Sequence, residues 1–508
     1  MCAIDFHAMR LTNIAQLRLP PGTVHSYGVR VQPRHDRPLP VSFDQGRHVG
    51  AGDRPGSWMA ISFRIPPASH AEIAAAWDAV VARHATLRTV FSPADTADPA
   101  DPTDPANTAA KADPADPTDP TPPTTPASGD IPAANATPAR PRVRLHDGDA
   151  SPGVWAQHPV LESTSRTVRE VFDAHCRPFG EPSHRLCLID PAPDPAADPA
   201  PEPDPEPDPA PAPDPRPILV IGSDHAHVDM WSLVVIARDL ALVLGGEPLP
   251  GPVEGFAAHT AELDRMPPAP PTVHEAWRHT LDAAGGVMPR FPLPLGDVSR
   301  PRAEVVEIRD VLDAEGMRRL TRRADADRVR VTAVALSVLA EVSQRLSGTP
   351  LRAVFPVHSR NDPRWHEAVG WFITNAVIEC PDPSPVACAA AVRQALALGS
   401  HPLAPILAPW GGMPATPGMF AISWLDLRRL PVAPPEGSDA HWVSAVIRTD
   451  GVMVWFVVDD TGMHLRCRYP DTPEARASVG TWLDTVEEGL RQAAADRPLS
   501  ACGVPTAG

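Results

Sequence analysis

The stretch "SDHAHVDMWSL" (residues 223–233) lies between two apolar segments of different kinds. Before it, "PILVIGSD" (217–224) is an unbroken apolar run of strand length, of the sort buried on both faces. After it, "SLVVIARDLALVL" (232–244) is long enough for a strongly apolar helix, with Ser232 as the expected cap. A turn from strand to helix presents its side chains at one rim of a sheet, where α/β proteins commonly place their sites. This turn carries Asp224, His225, His227 and Asp229. Three chemistries suit them. The H-x-H-x-D spacing of His225, His227 and Asp229 supplies three zinc ligands. A histidine followed four residues later by an aspartate also suits acid–base work, with the imidazole on the substrate and the carboxylate paired to a cation elsewhere. The third reading is a strand that simply ends on solvated polar residues.

Strand and helix patterns alternate on both sides of this turn. "SWMAISFRIP" (57–66) reads as a strand, and "TVHSYGVRVQP" (23–33) as another. From residue 69 an amphipathic helix runs to about Arg83, with Ser69 as N-cap and Glu72 completing a capping box. "LRTVF" (87–91), "RVRLHD" (142–147) and "HRLCLID" (184–190) are predicted strands, and 167–179 is helical up to Pro178. In the second half, 312–326, 332–346 and 474–494 are predicted helices. Strands are expected at 351–359, 370–380, 419–426, 441–450, 452–460 and 463–470. The expected architecture is two α/β (α+β) lobes, residues 1–255 and 256–508, with the boundary near 251–271.

Two tracts interrupt the first lobe, at about 92–141 and 191–217, and hold most of the excess of the chain's 67 prolines. Built on "DPADPTDP" and "PEPDPEPDP" repeats, they have no apolar periodicity and are expected to be disordered, extended, solvated insertions. They also carry most of the formal net charge of −17, so the acidity belongs to the tracts and says little about a substrate. No basic patch points to nucleic acid. The seven cysteines include no C-x-x-C pair, which argues against a zinc ribbon or a disulfide framework. No apolar run is long enough to span a membrane and the N-terminus has no signal-peptide core, so a cytoplasmic protein is expected.

Several segments in order carry a family resemblance. "DHAHVDMWSL" (224–233) resembles the H-H-x-x-x-D-G signature of peptide-synthetase condensation domains and their acyltransferase relatives. His225 takes the place of the second, active-site histidine, and Asp229 that of the aspartate. "PVSFDQGRH" (40–48) is similar to the family's S-x-x-Q block through Ser42 and Gln45. "ARHATLRTVF" (82–91) is similar to R-H-x-x-L-R-T-x-F, which brings in Arg88. "FPVHSRNDP" (355–363) lies where an arginine-bearing strand end is expected and supplies Arg360. "VGWFITNAV" (369–377) resembles the G-x-F-x-N-T segment and supplies Asn375. The closing "LRCRYPDTPEARASVGTWLDTVEEGL" resembles the family's last strand and helix. The resemblance covers roughly residues 40–495 outside the two tracts. "SWMAISF", "FPLPLG" and "ISWLDLRRLP" lean toward free-standing, polyketide-associated acyltransferases. "HAHVD" is also similar to the zinc motif of metallo-β-lactamase-fold hydrolases, but Met230 stands where that motif ends in histidine.

The condensation-domain resemblance implies two chloramphenicol-acetyltransferase-like lobes in a V-shaped pseudo-dimer around a central tunnel. It implies amide or ester formation between a thioester-bound acyl donor and an amine or hydroxyl acceptor, in specialised-metabolite biosynthesis. The donor would be held by a carrier protein acting in trans or by CoA, the acceptor would be a small molecule, and no resident cofactor or metal is implied. His225 would take or orient the acceptor's proton, and Asp229 would pair with Arg360. Arg88 and Asn375 would lie around the cleft, and Trp231 would line the tunnel or pack. Two positions depart from the signature: Asp224 replaces its first histidine, and Met230 replaces its glycine, beside the acceptor channel. Two competing functions remain at this point. One is a catalytically degenerate condensation-like module that recruits a partner protein. The other is a zinc-dependent hydrolase acting through the H-x-H-x-D stretch.

Overall fold

The computed structural model describes residues 9–94, 143–192 and 214–495. The two Pro-rich tracts fall mostly outside the described residues. Their edges are more regular than expected, since one strand continues to Pro93 and another to Pro191.

In chain order the strands are β1 (Arg10–Asn13), β2 (Gly22–Leu39), β3 (Trp58–Arg64), β4 (Val90–Pro93), β5 (Val143–His158), β6 (His184–Pro191), β7 (Ile218–Asp224), β8 (Arg302–Asp313), β9 (Leu351–His358), β10 (Ile373–Cys380), β11 (Phe420–Asp426), β12 (His441–Ser444), β13 (Arg448–Thr449), β14 (Val452–Asp459) and β15 (Gly462–Pro470). They form an eight-stranded sheet, β1-β12-β3-β7-β6-β2-β5-β4, and a seven-stranded sheet, β10-β9-β11-β14-β15-β8-β13. Each sheet anchors one α/β lobe.

β7 is central in the first sheet and buried along its whole length, which is why its sequence is an apolar run rather than an alternation. On one face of this sheet the helix Met230–Leu244 packs with the helix His70–Arg83 around Trp77, Val80, Leu233 and Ile236. The helix Thr164–His175 covers the other face through Val168 and Phe172. The second lobe buries the helices Ala314–Ala326, Val331–Ser347 and Pro473–Ala494 against its own sheet. Val369, Trp442 and Val457 belong to the first lobe's core, so the lobes share apolar surface.

The expected strand 441–450 divides. Its first part is β12, which lies in the first sheet between β1 and β3; its second is β13, at the edge of the second sheet. Apolar residues continue through the break at Ala445–Ile447, so nothing in the composition marks the change of sheet. The stretch read as a strand at 87–91 begins as a tight helical turn, Ala85–Arg88, and only then becomes β4. β8 was not anticipated: "RAEVVEIRDVLD" mixes charge with short apolar residues, and most of the strand is only half-buried.

Candidate active site

The turn after β7 is held at both ends. At its start Asp224 is fully buried. Its carboxylate accepts from the Ala226 backbone N–H at 2.9 Å and from Ser57 Oγ at 2.5 Å, and lies 3.2 Å from His48 Nε2. Burial alone would raise this carboxyl, but the bonds from His48 and Ser57 outweigh it and hold the group below its ordinary value. On the far side of His48, Arg54 Nη2 lies 3.0 Å from Nδ1. The same Nη2 is 3.4 Å from Nε2, so Arg54, His48 and Asp224 lie in a row with a charged group at each end. From the facing helix, Phe43–Val49, Gln45 Nε2 donates to the Ala226 carbonyl at 2.8 Å. Ser42 and Gln45 form a reciprocal capping box at the start of that helix.

At the other end Asp229, not Ser232, caps the helix. Its Oδ1 accepts from the Ser232 backbone N–H at 2.7 Å. The same carboxylate meets Arg360 Nη2 at 3.1 and 3.3 Å and accepts from the Phe372 N–H at 3.1 Å. Arg360 is fully buried. Its Nη1 donates to the carbonyls of Trp365 (2.6 Å) and Ala368 (2.5 Å), and its Cζ lies 3.9 Å from the Phe372 ring centroid. Ser232 Oγ accepts from Arg360 Nη2 at 2.7 Å and from the Gly370 N–H at 3.0 Å. One carboxylate thus closes a helix, neutralises a buried arginine and fixes loop 369–372 of the second lobe.

His225 sits between these two anchors. Its Nδ1 is 2.9 Å from the Val228 carbonyl, which can only accept. Nδ1 therefore bears the proton, and Nε2 keeps its lone pair. Burial, followed by the neighbouring His48, pushes the imidazole below its ordinary pKa, so it is neutral at pH 7. Trp371 stacks on it, with ring centroids 4.1 Å apart at 21°, and meets His48 edge-on at 5.2 Å. The site therefore contains His225 with its face on Trp371, and His48 beyond it.

The other residues singled out by sequence serve elsewhere. His227 Nε2 lies 3.2 Å from the Thr89 carbonyl, and its ring meets Phe91. Trp231 is packed: its Nε1 donates to the His366 carbonyl at 3.0 Å, and Arg360 lies over its ring. The Met230 side chain packs against the first lobe's core, and its carbonyl accepts from Trp442 Nε1 at 2.9 Å. Arg88 is outside the site; its Nη1 donates to the carbonyls of Val81 and Ala82 and ends the preceding helix. Asn375 Nδ2 donates to the buried Asp44 at 3.1 Å, and Thr374 adds a second bond, joining the lobes beside the site. The zinc reading does not fit the geometry. Asp229 is taken up by Arg360, and the two histidines bond backbone carbonyls of separate segments. Among the described residues, the ligand atoms of this stretch form no metal-binding group.

Sequence reasoning missed His48 and Trp371. Both lie in segments that were noticed, "PVSFDQGRH" and "VGWFITNAV". The available signal was spacing: His48 is three residues, about one helical turn, beyond Gln45, and so falls on the same face.

Comparison with known proteins places this geometry in a fold. No family model matches the chain. The acyltransferase PapA3 of Mycobacterium tuberculosis is 25% identical over 297 residues, which is 53% of this chain and 62% of that protein. The chain therefore spans less than two thirds of the curated relatives it matches. Among solved structures, the PapA2 acyl transferase superposes with a TM-score of 0.71 at 16% identity, covering 96% of this chain and all of that one. The first condensation domain of the calcium-dependent antibiotic synthetase, in complex with a substrate analogue, gives 0.60 at 14% identity, covering 92% and 98%. The X-domain from teicoplanin biosynthesis gives 0.61 at 16%, covering 92% and 97%.

Proposed function

We infer the function from the fold: the chain's two-lobed architecture superposes on the PapA2 acyl transferase and on a synthetase condensation domain. From that premise we propose that it is an acyltransferase, joining a thioester-bound acyl group to an amine or hydroxyl in natural-product biosynthesis. The observation that carries this reading is the state of His225: a neutral imidazole with Nδ1 tied to the Val228 carbonyl and Nε2 left basic. In the reaction Nε2 takes the acceptor's proton as its oxygen or nitrogen attacks the thioester carbonyl. The tetrahedral adduct then collapses, the carbon–sulfur bond breaks, and the imidazolium returns the proton to the departing thiolate. Asp229 and Arg360 position the turn and take no part in proton transfer. The donor is a phosphopantetheine arm, either on a carrier protein acting in trans or as CoA; the acceptor is a small molecule. No resident cofactor is needed, and we place the reaction in the cytoplasm.

The test is acyl transfer followed by intact mass, with acyl-CoA and acyl-carrier donors and paired amine and alcohol acceptors. His225→Ala should lose at least about a hundredfold in rate, the lower range for a general base. Because the folded pKa is depressed, the base form persists as pH falls past about 6.5, the ordinary imidazole value. The acid limb of the rate profile should therefore have its midpoint below that pH, and should vanish in His225→Ala. Equal rates for the two proteins would remove His225 from the reaction.

One observation favours a second reading. Asp224 departs from the histidine signature, and a fold of this kind also occurs in the complex of the X-domain and OxyB from teicoplanin biosynthesis. A folded chain with no transfer to any acceptor would favour a partner-recruiting module.

A further inference from the structure

A second group of convergent side chains lies away from the active site. His25 on β2, His70 at the start of the helix His70–Arg83 and Asp190 on β6 each offer one ligand atom, all within 4.8 Å of one another. Among the described residues no other histidine, cysteine or carboxylate group of three or more converges in this way. The backbone arranges it. β2 pairs with β6 so that Thr23 faces Asp190, and His25, two residues on, falls on the same face as Thr23. His70 arrives from above the sheet. The Ser69–Glu72 capping box fixes the start of its helix, its ring stacks on Trp155 at 4.5 Å and 21°, and its carbonyl accepts from Trp155 Nε1 at 3.0 Å.

These three side chains are poorly explained as an ion pair. Nε2 of each histidine is 4.0 Å from Asp190 Oδ2, beyond hydrogen-bond reach. Neither ring makes a hydrogen bond to any other described residue. The two imidazoles lie 4.6 Å apart, centroid to centroid, where protonation of both would set like charges side by side.

We propose that His25, His70 and Asp190 form a zinc site. Two imidazoles and a carboxylate match the donor preference of zinc, whereas magnesium and calcium require oxygen donors. Zinc–ligand bonds of about 2.0–2.2 Å in a tetrahedron put donor atoms roughly 3.4 Å apart, so the two 4.0 Å histidine–aspartate separations, and a histidine–histidine separation within 4.8 Å, close by side-chain rotation. The fourth position is left to water or an outside donor. The site is remote from His225. β6 runs antiparallel to β7, with His184 opposite Ser223 and Ile189 opposite Ile218, so Asp190 lies at the start of β7 and His225 just past its end. That length of strand is about 20 Å. The ion would tie the first turn of a core helix to two strands and take no part in acyl transfer.

The test uses the full chain, stripped with chelator and titrated with zinc alone by calorimetry. Cobalt serves as a spectroscopic stand-in. Wild type should bind one ion with Kd below about 10 µM, give a tetrahedral cobalt spectrum, and melt at a higher temperature with zinc. His25→Ala and His70→Ala should weaken binding at least a hundredfold, and His225→Ala should not. Should an alanine variant fail to fold, His70→Gln, at the partly exposed end of the helix, makes the same test. Binding weaker than that limit in wild type, or binding that survives loss of His25 or His70, would overturn the site.

Discussion

Asp229 shows how much one side chain can carry. It caps a helix, pairs with a buried arginine and receives a backbone N–H from the other lobe. Asp229→Ala would leave Arg360 charged in an interior that already pushes its pKa down through burial. Removing one partner of a buried pair costs about 3–5 kcal/mol. Asp229→Ala should therefore show a loss of that order in urea unfolding, and Asp229→Asn, which keeps the cap, should lose less. Normal melting with lost turnover would show that Asp229 acts in the chemistry instead. This role was legible in sequence only through resemblance, because 131 positions separate the pair. The tautomer of His225 was not legible, since it depends on where a carbonyl three residues away points. Nor was the replacement at Asp224. The carboxylate looks like a loss of the first signature histidine, yet in space it finds His48 and Ser57 and anchors the turn's beginning.

Among elements, sequence period served best where burial is uniform. β7, the helix His70–Arg83 and the helix Val331–Ser347 lie close to their expected limits because one buried face or a full apolar run sets each of them. It failed where a change of partner leaves the pattern intact, as between β12 and β13, or where charge and short apolar residues mix, as in β8. The loop before β10 adds a constraint of close approach. A Cβ on Gly370 would come within 2.4 Å of Phe256 Cβ and force the loop outward. That loop holds Trp371 against His225 and donates the Gly370 N–H to Ser232 Oγ. Gly370→Ala should destabilise the protein by about 1–3 kcal/mol, the range for overpacking, and slow acyl transfer as Trp371 shifts. Gly480→Ala is the contrast: it lies within the helix Pro473–Ala494 with open space around it, and should gain about 0.5–1 kcal/mol. Urea titration of the two variants separates close approach from a general effect of replacing glycine.

At the scale of the molecule, the chain looks like two consecutive lobes, and chains of this length commonly unfold in pieces. The connections argue otherwise. β12, from the second half, lies inside the first sheet and places the buried Trp442 in the first core. Arg10 pairs with Asp310 at 2.8 Å, and Asn13 bonds Glu304 at 3.2 Å. Arg83 and Arg238 both reach Glu367, and Arg360 reaches Asp229. Separating the halves would open a sheet between β1 and β3 and strand a buried arginine, and each of these costs more than a polar lobe interface would return. Unfolding followed by near-ultraviolet dichroism, fluorescence and calorimetry should therefore give one coincident transition. Residues 1–255 expressed alone should lack that transition, since β1 and β3 would have lost the strand between them. Supplying residues 256–508 in trans should restore it. Two resolved transitions in the intact chain, or a cooperatively folded 1–255 fragment, would show that β12 is an ornament on an independent lobe and not a structural part of it.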